Sequence, residues 1–177
     1  DALPNFSTQY DLPELLANRD GLLPQDRTHY LKLDGYYTFD FEEHGELTAG
    51  VRYRAFSGTP QDALGASYVY GLGESFLLPR GTSGRTPTVM STDLHLGYGR
   101  ELARGWKLAG FVDLVNFFKQ EQIFSYDELY TLDNANPVVG GDETDLVFAK
   151  RISQSGGETA EPLGRNVGYG TPTARYV

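Results

Sequence analysis

One segment near the start of the chain alternates almost without a break between apolar and polar side chains. Residues 31–41 read LKLDGYYTFDF: the odd positions carry Leu, Leu, Gly, Tyr, Phe and Phe, and the even positions carry Lys, Asp, Tyr, Thr and Asp. A period of two scatters apolar residues around a helix of 3.6 residues per turn, so this pattern excludes an amphipathic helix. It predicts a β-strand, from about residue 28 to residue 41, with one apolar face and one polar face.

Three further segments, 47–58, 88–99 and 106–118, show the same alternation. In the second segment Arg52 and Arg54 lie two residues apart and therefore share one face of the strand. Two neighbouring arginines are costly to bury in an ordinary protein core, so this face is expected to be wet. The alternation in 106–118 is weaker, because its second face is also partly apolar.

Short and long connections follow one another along the chain. The segments 42–46 and 100–105 are short, whereas 59–87 and 121–177 are long and rich in glycine, proline and polar residues. All long connections of an antiparallel sheet then emerge at the same end, which is typical of outer-membrane barrels. Strands of about 12–14 residues exceed the usual soluble length of about 5–6 and suffice for tilted membrane spans of about 9–11 residues.

The pattern therefore predicts an all-β fold: an antiparallel transmembrane β-barrel segment of about four or five strands, with long extracellular loops. A soluble extracellular β-sandwich would show the same alternation and stays open as the alternative, binding carbohydrate or a protein partner through aromatic loops. The formal net charge of −9 argues against nucleic acid as a partner. The absence of cysteine excludes a disulfide framework and thiol catalysis.

The two faces of the predicted strands supply the candidate functional residues. The polar positions expected to face the aqueous lumen are Lys32, Asp34, Arg52, Arg54, Asp93, His95 and Asp113. The positions expected to face lipid are Leu31, Leu33, Tyr37, Phe39, Val51, Tyr53, Leu94, Leu96, Tyr98, Trp106, Leu108 and Val112. Aromatic residues among them lie beside the short turns, where an interfacial aromatic girdle is expected.

The long loops are expected to carry ligand or partner contacts, with Tyr68, Tyr70 and Phe76 as candidates. The acidic segment 133–145 could collect oxygen ligands for calcium, but it lacks the EF-hand spacing, and a solvated acidic loop is the competing interpretation. The three histidines, His29, His44 and His95, are scattered and make no zinc motif. No nucleophile–base pair supports a hydrolase, so the chain is not expected to be an enzyme and no cofactor is expected.

Five stretches resemble the C-terminal barrel portion of TonB-dependent outer-membrane receptors. The resemblance extends in family order over most of residues 22–120 and is greatest to the Oar-like subgroup, whose members carry a carboxypeptidase-regulatory-like domain at the N-terminus. The stretches are LLPQDRTHYLKLDGYYTF (22–39), LTAGVRYRAFSGTP (47–60), GLGESFLLPRGTSGRTP (71–87), DLHLGYG (93–99) and DLVNFFKQ (113–120).

This resemblance implies a bacterial outer-membrane location and a part in a larger, 22-stranded barrel that takes up a solute. The implied partners are outer-membrane lipid, the remaining barrel strands in the same or another chain, a TonB-type energy-coupling protein acting through a plug not found in this chain, and a transported ligand of unknown identity. The expected layout is an extracellular loop at 1–26, four barrel strands at 27–120 with one outer loop at 59–87, and a long extracellular loop at 121–177 that precedes a missing final strand.

Overall fold

A computed structural model describes residues 10–176, and in this range most of the regular secondary structure is β-strand, connected by turns and loops. The first nine residues of the loop predicted at 1–26, and Val177, lie outside the described residues. One short helix, α1, covers Pro13–Leu16. The strands are β1 (Tyr30–Asp40), β2 (Glu46–Phe56), β3 (Leu64–Ser67), β4 (Gly71–Phe76), β5 (Val89–Glu101), β6 (Lys107–Leu114), β7 (Gln122–Tyr126), β8 (Leu129–Asn134), β9 (Lys150–Ile152), β10 (Glu158–Pro162) and β11 (Pro172–Tyr176).

The chain divides into two compact units, described separately below. The sheet unit comprises residues 28–57 and 87–122 with the described residues 175–176, and the loop unit comprises the described residues 10–27, 58–86 and 123–174. Among the described residues, no helix has the length and apolar character needed to cross a membrane.

The sheet unit is a four-stranded antiparallel sheet in the order β1-β2-β5-β6. The register runs without a shift, so that Leu33 lies opposite Tyr53 while Asp34 lies opposite Arg52. Because side chains alternate between the faces of a sheet, an unbroken register keeps the apolar positions of all four strands on one face. The all-β, antiparallel architecture expected from the alternation is confirmed.

Both short connections of the sheet unit contain backbone in the left-handed region. Gly45 has a φ of 98°, and a Cβ at this position would lie 2.3 Å from the carbonyl oxygen of Gly99. In the second turn Arg104 and Gly105 have φ values of 67° and 77°. Glycine has no Cβ and adopts positive φ angles without a steric clash, so Gly45 and Gly105 favour the two tight turns.

The loop unit has a hydrophobic core of its own. Ala63, Leu77, Leu78, Ala135 and Leu146 are all buried and pack together. Its largest sheet is β4-β3-β8, in which β3 and β8 pair in parallel, and two smaller sheets are formed by β9 with β10 and by β7 with β11. The segments 59–87 and 121–177, for which the sequence predicts loops, therefore contain seven short strands, and contacts between distant segments order them.

Candidate functional site

Charged residues of neighbouring strands pair on one face of the sheet unit, hereafter the charged face. Asp34 Oδ1 accepts a hydrogen bond of 3.2 Å from Arg52 Nε and one of 2.9 Å from Arg54 Nη2. One carboxylate on β1 thus binds two guanidinium groups on β2. The Arg52 side chain is 62 % exposed, whereas that of Arg54 is 20 % exposed.

A second pair joins β5 to β6 on the same face. His95 Nδ1 lies 2.6 Å from Asp113 Oδ1, and the His95 ring stacks 6.0 Å from the ring of Phe111. Glycines make room for this imidazole: a Cβ at Gly97 would lie 3.1 Å from His95 Nε2, and one at Gly50 would lie 3.3 Å from His95 Cβ. The lack of side chains at positions 50 and 97 therefore leaves space for the His95 side chain on the charged face.

A depression of about 580 Å³ occupies the middle of the charged face. Five of the seven residues predicted to face the lumen line it, namely Asp34, Arg52, Asp93, His95 and Asp113. Lys32 and Arg54 do not line it; the Lys32 ammonium lies 4.7 Å from the ring of Tyr30. Sequence reasoning missed Tyr36 and Gly50, which also line the depression and which the register places in one row with His95.

The opposite face of the sheet, hereafter the apolar face, carries the residues predicted to face lipid. Ten of the twelve are exposed and the other two, Tyr53 and Leu94, are half-buried. Register rows such as Tyr37–Ala49–Leu96–Val112 extend the apolar surface across all four strands. A contiguous apolar surface of this kind marks a contact with lipid or with another protein.

Aromatic side chains cluster beside the short turns. The rings of Tyr37 and Phe39 lie 4.7 Å apart, and those of Phe39 and Phe41 lie 6.4 Å apart. The Tyr98 hydroxyl donates a hydrogen bond to the carbonyl of His44 in the first turn. Trp106, at the end of the second turn, is 72 % exposed.

The three predicted loop contacts lie in the loop unit, in different surroundings. The hydroxyl groups of Tyr68 and Tyr70 donate hydrogen bonds to Glu14 and Asp11, at 3.4 Å and 2.9 Å. The bond to Asp11 raises the pKa of Tyr70 above its usual value. Phe76 is not at the surface: only 9 % of it is exposed, and its ring lies under the guanidinium groups of Arg19 and Arg80.

The carboxylates of the acidic segment 133–145 do not cluster in the structure. Within the described part of the chain, no three His, Cys, Asp or Glu side chains come close enough together to hold a metal ion. Asp142 instead accepts hydrogen bonds from the hydroxyl and the N–H of Thr144, at 2.6 Å and 2.8 Å, and these bonds lower its pKa. These two hydrogen bonds stabilise the turn that contains Asp142 and Thr144.

The structure thus defines an all-β protein built on an antiparallel sheet with one charged face and one exposed apolar face. Over 143 residues, or 81 % of its length, the chain is 38 % identical to the TonB-dependent transporter Oar of Myxococcus xanthus. The chain spans 14 % of the length of that protein. No family model matches the chain, and no solved structure matches it.

This identity shows that the chain is related to TonB-dependent receptors, the class that the five stretches resemble. By its name, the relative is a transporter.

Proposed function

We propose that this chain forms part of the wall and the outer ligand surface of a TonB-dependent outer-membrane transporter. Strands β1, β2, β5 and β6 cross the outer membrane, the apolar face contacts lipid and the charged face lines the barrel interior. The observation that carries this proposal is the unbroken register, which holds an exposed apolar surface and a charged surface on opposite faces of one sheet.

The strand lengths agree with this role. Strands β1 and β2 have 11 residues each and β5 has 13, which suffices for tilted spans of about 9–11 residues. Strand β6, with 8 residues, is shorter than such a span and than the segment 106–118 predicted for it. The exposed apolar face favours the proposal over the soluble sandwich, because a sandwich covers that face with a second sheet.

The sheet has two edges, one side of β1 and one side of β6, that pair with no other strand among the described residues. Unpaired backbone groups are costly in lipid, where only closed barrels satisfy them. Further strands, in the same or another chain, therefore continue the sheet at both edges. Energy coupling to a TonB-type protein passes through a plug supplied outside these residues, and the long loops contribute to the surface that first meets the ligand.

Single-cysteine labelling in the intact membrane-bound protein tests this proposal. The chain contains no cysteine, so a cysteine introduced at one position is the only thiol in it that a maleimide can label. Leu33→Cys on the apolar face and Tyr36→Cys on the charged face form a matched pair on one strand. We expect a lipid-soluble maleimide to label position 33 and a membrane-impermeant maleimide to label position 36. Equal labelling of both positions by the aqueous reagent, or recovery of the protein in the soluble fraction, would overturn the proposal.

A further inference from the structure

A cleft of about 430 Å³ lies within the loop unit, in the size range of small-molecule sites. Three segments form its walls: residues 24–27, residues 59–61 with Thr86, and residues 124–128; within these segments Asp26 and Asp127 do not line the cleft. We call it the loop cleft.

Internal contacts fix the three walls in place. Arg85 forms an ion pair of 2.6 Å with Asp26 in the first wall and donates a hydrogen bond of 2.9 Å to the carbonyl of Gly58 beside the second. The Thr86 hydroxyl accepts a hydrogen bond of 2.8 Å from the N–H of Thr59. Glu128 Oε1 in the third wall accepts one of 3.2 Å from the N–H of Asp62. The cleft is therefore formed before any ligand arrives, which lowers the entropic cost of binding.

The lining combines free carboxamides with an open aromatic ring. Gln25 and Gln61 make no side-chain hydrogen bond to any described residue, so each can offer a donor and an acceptor to a ligand. Phe124 is 53 % exposed. Glu128, which is half-buried, adds carboxylate oxygens as acceptors.

These groups define the chemical class of the ligand. Carboxamides and a carboxylate pair well with vicinal hydroxyl groups, and an aromatic ring packs against the C–H face of a sugar. The lining contains one cation, Arg27, and one anion, Glu128, so its charge is balanced and a charged ligand gains no net attraction. We propose that the loop cleft binds a neutral, hydroxyl-rich solute of the oligosaccharide class.

The inference rests on the proposed function for its biological meaning, because it names the class of ligand that the outer surface recognises. Binding itself needs neither a membrane nor energy coupling. Titration calorimetry on the purified intact protein tests it, in a detergent without a sugar headgroup. The probes are the neutral trisaccharides maltotriose, cellotriose and tri-N-acetylchitotriose, with trigalacturonate and triglycine as the charged and the peptide comparators.

We expect at least one neutral trisaccharide to bind, and Phe124→Ala and Gln25→Ala each to weaken its binding by about tenfold or more. The matched controls are Phe148→Ala and Gln154→Ala, exposed residues of the same unit outside the cleft, and they should bind as the unsubstituted protein does. If Phe124→Ala fails to fold, Gln25→Ala and Gln61→Ala give the same information, because neither side chain bonds to another described residue.

Absence of binding up to about 10 mM of every neutral trisaccharide would overturn the inference. Preference for trigalacturonate or triglycine, or binding that the cleft variants do not change, would overturn it equally. The cysteine labelling at positions 33 and 36 does not depend on this ligand, so failure of the inference is distinguishable from failure of the proposed function.

Discussion

The side-chain amide of Asn18 donates a hydrogen bond of 2.9 Å to the carbonyl oxygen of Val138, 120 residues further along the chain. The same Nδ2 also donates to the carbonyls of Phe76 and Leu77, at 3.2 Å and 3.1 Å. Asn18 Oδ1 accepts a bond of 3.0 Å from the N–H of Gly140. One half-buried side chain thus joins three distant segments of the loop unit.

Replacement of Asn18 by alanine should lower the free energy of unfolding of the loop unit by about 2–4 kcal/mol, because several backbone groups lose a partner. Chemical denaturation followed by limited proteolysis of the loop unit measures this loss. Asn18 has a φ of 61°, which alanine tolerates poorly, so Asn18→Gly separates the backbone effect from the lost bonds. A glycine variant as stable as the unsubstituted protein would show that the hydrogen bonds contribute little.

Gly58 should tolerate no side chain. A Cβ at this position would lie 1.5 Å from the carbonyl oxygen of Thr86, so Gly58→Ala must push two segments of the loop unit apart. We expect a loss of about 1–3 kcal/mol or more, the range for overpacked sites. Gly110→Ala is the control, since a Cβ at Gly110 meets nothing within 4 Å. Equal thermal midpoints for the two variants would contradict the described packing around Gly58.

The two faces of β1 should respond differently to a charge. Leu33→Arg places a guanidinium on the apolar face and should cost about 2–4 kcal/mol if that face contacts the bilayer midplane. Tyr36→Arg places the same group on the charged face, where Tyr36 is 83 % exposed, and should change folding little. Folding yield into lipid vesicles, read from heat-modifiable gel mobility, compares them. Similar yields for both variants would argue against a lipid contact at position 33.

The loop unit should be more stable at mildly acidic than at neutral pH because of Asp62 and Glu128. Burial raises the pKa of Asp62, and burial together with the charge of Asp62 raises the pKa of Glu128. A carboxyl group whose pKa is raised by folding contributes stability below its unfolded pKa of about 4. That contribution is lost as the pH rises through the folded-state pKa.

Asp62→Asn should therefore flatten the dependence of the thermal midpoint on pH above the unfolded-state pKa of about 4. Asparagine keeps an oxygen that can accept the 2.6 Å hydrogen bond from the N–H of Gly81. Asp20→Asn, at an exposed position of the same unit, controls for the loss of one charge. Parallel pH profiles for Asp62→Asn and the unsubstituted protein would rule out this role of Asp62.

The sheet unit could be predicted from the sequence because its signal is local. Alternation places Leu33 and Asp34 on opposite faces whatever the rest of the chain does. The short turns fix two of the three strand pairings, β1 with β2 and β5 with β6. Five of the seven predicted charged residues consequently come together in one depression. Tyr36 and Gly50 were missed there because an exposed aromatic residue and a glycine carry no distinctive pattern; only the register shows that they flank His95.

The loop unit could not be predicted in the same way. Its strands have three to six residues, too few to show a period, and its order depends on contacts between distant segments. The Ser75 hydroxyl, for example, donates a bond of 2.6 Å to the carbonyl of Ala135, 60 residues away. Phe76 resembles a surface contact in the sequence, but Arg19 and Arg80 are brought over its ring from two other parts of the unit.

The separation between Asn18 and Val138 also sets an order of events during folding. The β1–β2 and β5–β6 hairpins close over short turns, so their pairing costs little loop-closure entropy. Folding of the loop unit must bring together segments from both ends of the chain. The closure of such long loops costs conformational entropy, so we expect the loop unit to fold last. Until residues 138–140 arrive, the segment around Asn18 has no partners, and folding intermediates of this protein should carry formed hairpins and unstructured loops.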